Sequence, residues 1–303
     1  MEGNGHNHDV LSGSRFFFVT VLNVLITIAE FVGGALSGSL SLISDAFHNL
    51  GDSFSIAFSY AAHRISKKRQ NERNTFGYKR AEIIAAFLNS IALCLICVFL
   101  VIEAVKRFSH PQSINGNLML IVAIIGLIAN FVSAFLLNAG AKHNLNMRAT
   151  YLHILSDALS SVAIIIGGVL IDIFGWVMID PIVTILVAVY IFYESIPIIR
   201  QTCRILMQGA PDIDYQAIKN DLLKINGVFG VHHVHAWSID EHNIIFSAHV
   251  NMHDMKISEA QQIYTEIDDL MEKKYHMCHV TIQAETTRGE NEDMIYDRGN
   301  DIP

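Results

Sequence analysis

The chain has 303 residues, of which 51% are hydrophobic and only 17% charged, with a formal net charge of −8 and a mean hydropathy of +0.36. That is too apolar for an ordinary soluble domain and points to an integral membrane protein. The acidic balance, with no basic stripe interleaved with aromatics, gives no reason to expect nucleic acid as a partner. Cysteines at 94, 97, 203 and 278 form no disulfide framework.

The opening "MEGNGHNHDVLSGSR" lacks a basic n-region and a small-residue cleavage site, so no removable signal peptide is expected and residues 1–14 read as a flexible cytosolic arm. Six apolar runs then meet the roughly 20 residues that a bilayer crossing needs: 15–36, 40–62, 81–105, 117–139, 149–171 and 177–199. Pro111, Gly116 and Gly175 punctuate the turns. Arg64, Lys67, Lys68, Arg69, Arg73, Lys79 and Arg80 crowd the connection between the second and third runs, with Lys142, Arg148, Arg200 and Arg204 on the same side. By the positive-inside rule both termini are cytosolic.

The second run contains "SLISDAFHNLGDSF". His48 and Asp52 are spaced to share one face of a helix, and Asp45 lies one turn earlier on that face. The fifth run repeats the device in "YLHILSDALSS", with His153 and Asp157 at the same spacing. Two such helices side by side supply two imidazole nitrogens and two carboxylate oxygens, a tetrahedral set of the kind zinc prefers. One histidine on an apolar helix is usually a satisfied structural residue. Two matching pairs in separate membrane helices are not so readily explained, because intramembrane charge is costly to keep without a task. A divalent cation held by two aspartates and two neutral histidines is a neutral cluster, and emptying it leaves carboxylates that recruit protons. That is the basis of cation–proton exchange. Asp45 is an accessory candidate with an exit-path or helix-end role as its alternative.

Smaller readings complete the spans. Asn23, Asn89 and Asn130 are expected to bond between helices, Glu82 to pair with Arg80, and Ser156, Ser160, Ser161, Gly167 and Gly168 to let the fifth helix approach the second. Cys94 and Cys97 form a CxxC without a neighbouring histidine or aspartate in that span and are not assigned to metal.

The remainder has a different grammar. A helix over 213–225, strands over 227–239 and 243–252 around a "DEHN" turn, a helix capped by Ser258 with Gln261 and running to about Lys274, and a strand over 279–285 give the order αββαβ. That order suits a small α+β sandwich with helices on one face of the sheet. Alternation sends Val231, His233 and His235 one way and His232, Val234 and Ala236 the other. The domains are read as 15–204 for the membrane part, 205–287 for the cytosolic domain and 288–303 for a polar, poorly ordered tail.

"SLSLISDAFHNLGDS", "TFGYKRAEIIAAFLNS", "YLHILSDALSSVAIIIGG", "WVMIDPIV" and "VHHVHAW" together resemble the cation diffusion facilitator family, in particular its zinc/cadmium/cobalt-type bacterial efflux members, over about residues 14–287. The resemblance implies a homodimer of six-helix transmembrane bundles, each with a ferredoxin-like cytosolic domain, exchanging cytosolic divalent metal for protons by alternating access. It carries the transport site to His48, Asp52, His153 and Asp157, with histidine there favouring zinc over manganese, as the donor chemistry also does. A cytosolic zinc site carries over to His232, His249 and Glu285, with His233 and His235 as possible substitutes or additions. The short "AKHNLNMR" turn lacks the His-rich insert of many vesicular members, which favours a bacterial inner-membrane protein. A membrane-anchored metal sensor needs no ligands at mid-membrane. An intramembrane zinc enzyme needs an open coordination position, and four ligands leave none.

Overall fold

The computed structural model describes residues 6–141, 145–289 and 292–295, without the side chains of residues 6–17, 56–57, 137–141 and 145–153. Six long helices come first: α1 (His6–Ser37), α2 (Leu40–Ser66), α3 (Arg80–Ser109), α4 (Gly116–Ala141), α5 (Leu145–Phe174) and α6 (Ile179–Leu206). Five are long and apolar enough to cross a membrane, α2 being the exception. Its polar content explains this: Asp45, His48, Asn49 and Asp52, with six serines, break up its apolar residues. α1 begins well before the expected span, and α6 continues past Pro197 through Arg200 and Arg204.

The chain divides into two compact units, one formed by residues 1–61 and 85–199, the other by 62–84 and 200–303. In the first, α4 packs against α5 and α1. Gly33 permits the α1 approach, since a Cβ there would lie 2.5 Å from Val122. Leu42, Leu100, Met119 and Ile164 are fully buried at the centre of this unit, while large apolar residues such as Leu95, Phe135 and Leu186 face outward, as lipid-facing positions should. Gly167 and Gly168 do not serve α2 as expected. They sit against Ile179, Val183 and Met119, and against Leu120, respectively.

The start of α2 is anchored in trans. Asp180, fully buried in the first turn of α6, accepts from the backbone amides of Leu40 (2.8 Å) and Ser41 (3.1 Å) and from the hydroxyls of Ser39 and Ser41 (2.7 Å each). Ser39 Oγ in turn accepts from Leu42 N at 3.2 Å. Amides orphaned at the helix start are thereby satisfied, and a negative charge meets the positive end of the helix. Arg107 of α3 completes the set, 3.4 Å from Asp180 and donating to Gly38 O at 2.6 Å.

In the second unit, α7 (Tyr215–Leu222), β1 (Val228–Ser238), β2 (Ile244–Met252), α8 (Ile257–Tyr275) and β3 (Met277–Glu285) follow the expected αββαβ order. β1 and β2 form an antiparallel pair, β2 and β3 a parallel one linked through α8, in the order β1-β2-β3. Ile218 and Leu222 of α7 and Ile263, Ile267 and Met271 of α8 meet Val231, Phe246, Ala248 and Val250 of the sheet in one core. Asp214 caps α7 through Ala217 N at 3.0 Å. The cap of α8 differs from expectation: Lys256 is the N-cap, its amide donating to Glu259 at 3.2 Å. A carboxylate one turn in outbids the Ser258–Gln261 alternative because it also suits the helix N-terminus.

Part of the tail expected to be poorly ordered is folded. Val234 N donates to Met294 O at 2.8 Å, and the Met294 side chain joins the core, so residues 292–295 cover a stretch of the β1 edge. Residues 290–291 and 296–303 lie outside the described residues.

Candidate metal centres

α2 and α5 bring three ionisable side chains together. His48 Nε2 stands 3.8 Å from Asp52 Oδ2, one turn along α2, and 3.5 Å from Asp157 Oδ1 on α5. Each of the three offers a ligand atom within 4.8 Å of the others. His48 and Asp157 are buried and Asp52 is half-buried. The side chain of His153, four residues before Asp157 on α5, lies outside the described residues. Two carboxylates around one imidazole in an apolar bundle make a donor set that a divalent cation neutralises, whereas an empty set is costly.

A polar network borders this cluster. Asp45 accepts from Ser160 at 2.7 Å and lies within hydrogen-bonding reach of Glu30 on α1, and all but 1–2% of both carboxylate residues is buried. Asn49 Nδ2 donates to Glu30 at 2.8 Å, bridging α2 to α1. Asp45 is thus held by α1 and α5 and is not among the three converging ligands. Among the described residues an interhelical amide is Asn49, absent from the sequence expectation, and Asn130 Nδ2 finds no partner among them. Ser156 bonds Tyr190 of α6 at 2.7 Å instead of α2, and Ser161 bonds back to Asp157 O at 3.1 Å. Glu82 takes His63 (3.0 Å) and Ser66 as partners instead of Arg80, because the end of α2 lies beside it.

The second cluster is built on strands. His232 on β1 sits opposite His249 on β2, and Glu285 ends β3 opposite Asn251. His232 Nε2 is 3.2 Å from Glu285 Oε2, and His249 Nδ1 is 3.3 Å from Oε1. The expected alternation fails here. A bulge between His232 and His235 adds one residue to β1, and His233 takes φ +50°. Val231 therefore joins Val234 and Ala236 in the core, while His232 is on the other face with His249 and Glu285. His233 stacks on His249 at 4.6 Å and meets His235 edge-on at 4.9 Å, so both border the triad without joining it.

His232 is only 2% exposed, and its Nδ1 has no hydrogen-bond partner among the described residues. The covering comes from the segment after β3: Asn251 Nδ2 donates to Arg288 O at 2.9 Å, and Gly289, at φ +67°, packs so closely that a Cβ there would lie 2.1 Å from His232 Nε2. Burial holds the His249 pKa below the usual 6.5, outweighing the Glu285 charge that favours protonation, so the ring is neutral and ready to donate at neutral pH. Two imidazoles and a carboxylate fit a zinc ion.

Both parts of the chain match known families. Residues 16–207 match the cation efflux transmembrane domain and residues 210–287 the cation efflux protein cytoplasmic domain. The chain belongs to the cation diffusion facilitator family. Similar members include a cadmium, cobalt and zinc/H(+)-K(+) antiporter of Bacillus velezensis, 38% identical over 96% of this chain and 95% of that protein. The metal cation efflux system protein CzcD of Cupriavidus metallidurans is 32% identical over 96% and 93%. The zinc transporter ZitB of Yersinia pestis is 36% identical over 90% and 88%.

Proposed function

We propose that the chain is a proton-coupled antiporter, not an enzyme, that exports divalent transition-metal cations from the cytosol by alternating access, with zinc foremost and cadmium and cobalt as further substrates. The observation that carries this reading is the convergence of His48, Asp52 and Asp157 from two helices at 3.5–3.8 Å. The names of the similar family members support it. His153 supplies the fourth ligand. Substrate metal entering this set displaces protons from its carboxylates and imidazoles, and its departure restores them, so the two fluxes run in opposite directions.

In this reading α2 crosses the membrane with the other five helices, both termini are cytosolic, and the chain is a homodimer in the cell inner membrane. Residues 15–204 carry transport. The cytosolic domain, 205–287, joins two copies and holds zinc through His232, His249 and Glu285. Purified protein in sealed vesicles tests the reading, with zinc followed by an indicator dye and internal pH by a second. Zinc flux accompanied by an opposing proton flux is expected, and zinc flux with no pH change rejects the exchange.

A further inference from the structure

The connection between α2 and α3 is rich in cations, yet it is folded. Asn71 Oδ1 accepts from the amides of Arg73 (3.0 Å) and Asn74 (2.9 Å), and Asn71 Nδ2 donates to the Tyr78 hydroxyl at 2.9 Å. Gly77 takes φ +76°, with its amide bonded to Asn74 O at 2.9 Å. Phe76 meets His279 of β3 edge-on at 5.9 Å, and Lys79 Nζ donates to Asn243 Oδ1 at 2.8 Å. These contacts shape an open cleft of about 650 Å³ whose wall includes Lys67, Lys68, Arg69, Phe76, Lys79 and Asp240.

Four cations therefore surround one cavity with a single carboxylate. That carboxylate is engaged elsewhere: Asp240 accepts from the amides of His242 (2.9 Å) and Asn243 (2.7 Å) and from the Asn243 side chain at 2.6–2.8 Å. Among the described residues, the side chains of Lys67, Lys68 and Arg69 have no ion pair and no hydrogen bond. Like charges gathered around one concavity repel each other, and an anion in their midst reverses the sign of the interaction.

We propose that this cleft binds the phosphate headgroup of an anionic phospholipid. Lys79 is followed at once by α3, a membrane-spanning helix, so chain connectivity alone puts the cleft at the level of the headgroups. Lysine point charges and a guanidinium fork suit phosphate oxygens. Setting topology requires cations on this side of the membrane but not a shaped cavity with its only carboxylate turned away. The assignment does not depend on metal transport.

Native mass spectrometry of the full chain in detergent tests it, with phosphatidylglycerol and phosphatidylcholine of matched acyl chains, and inorganic phosphate as a third probe. Two variants accompany the wild type: Lys67→Gln/Lys68→Gln/Arg69→Gln, and Lys67→Arg/Lys68→Arg, which keeps the charge. Arg64, Arg73, Lys79 and Arg80 remain in both to hold the topology. The wild type and the arginine variant should prefer phosphatidylglycerol by about tenfold or more, and the glutamine variant should lose that preference. Equal retention of the two lipids by the wild type, or an undiminished preference in the glutamine variant, overturns the proposal. Inorganic phosphate binding as tightly as the lipid would replace the headgroup site with a free-phosphate site.

Discussion

The two candidate metal clusters use the same chemistry on opposite scaffolds. In the membrane, His48 and Asp52 share a helix face through their spacing alone, and Asp157 reaches His48 from α5. In the cytosolic domain, His232, His249 and Glu285 come from three strands and converge only because a bulge shifts β1 by one residue. A helix writes its face into the sequence as a period, whereas a sheet site depends on register and on irregularities that no local pattern announces. The clusters should therefore respond differently to substitution.

The largest effect is expected in the membrane. On the proposed reading, Asp157→Ala or Asp52→Ala removes a direct ligand, so zinc flux should fall beyond the roughly 100-fold that loss of a mere supporting hydrogen bond costs, while the protein stays folded. Flux retained in both variants removes the cluster as the transport site. Next, Asp180→Ala leaves Arg107 buried without its carboxylate, and a loss of about 3–5 kcal/mol is expected in thermal unfolding. Zinc affinity of the folded protein should be unchanged, since Asp180 touches no ligand; a parallel loss of affinity would show that scaffold and site are not separable.

A smaller effect is expected on the strands. His232→Ala/His249→Ala should weaken metal binding to the cytosolic domain, measured by calorimetry, while some transport persists. Complete loss of transport-site occupancy in that variant would mean that the two clusters are one system. The smallest effect concerns Asp221, whose carboxylate is held below its usual 3.8 by hydrogen bonds from Lys224, Lys274 and Tyr275. A depressed carboxylate favours the folded state above pH 3.8 and loses that contribution as the pH falls below it. Amide protection in α7 and α8, taken relative to the intrinsic exchange rate at each pH, should fall on acidification below pH 3.8 in the wild type and depend less on pH in Asp221→Asn.

Most of the architecture was readable without coordinates. The six helices, their order and the αββαβ domain are legible in hydropathy and periodicity, although α2 is too polar to count among the apolar spans. The triad His232, His249 and Glu285 came from family resemblance, and unaided alternation misplaced Val231 and His232 because the bulge at His233 reverses the parity. Long-range partners were also illegible. Asp180 as the trans cap of α2, Asn49 as the bridge to Glu30 and Gly289 as the cover of His232 each join residues far apart in the chain. Nothing local to any of these residues names its partner.

The polarity of α2 has a consequence for biogenesis. On an insertion scale each aspartate near a helix centre costs roughly 2.5–3.5 kcal/mol, and α2 carries Asp45 and Asp52 together with His48 and Asn49. Such a segment enters the translocon as a poor candidate for partitioning into lipid unaided. α1 arrives first with Glu30, which takes Asn49, and α3 and α6 later secure the start of α2 through Arg107 and Asp180. The helix that carries His48 and Asp52 is thus the one whose integration relies most on its companions.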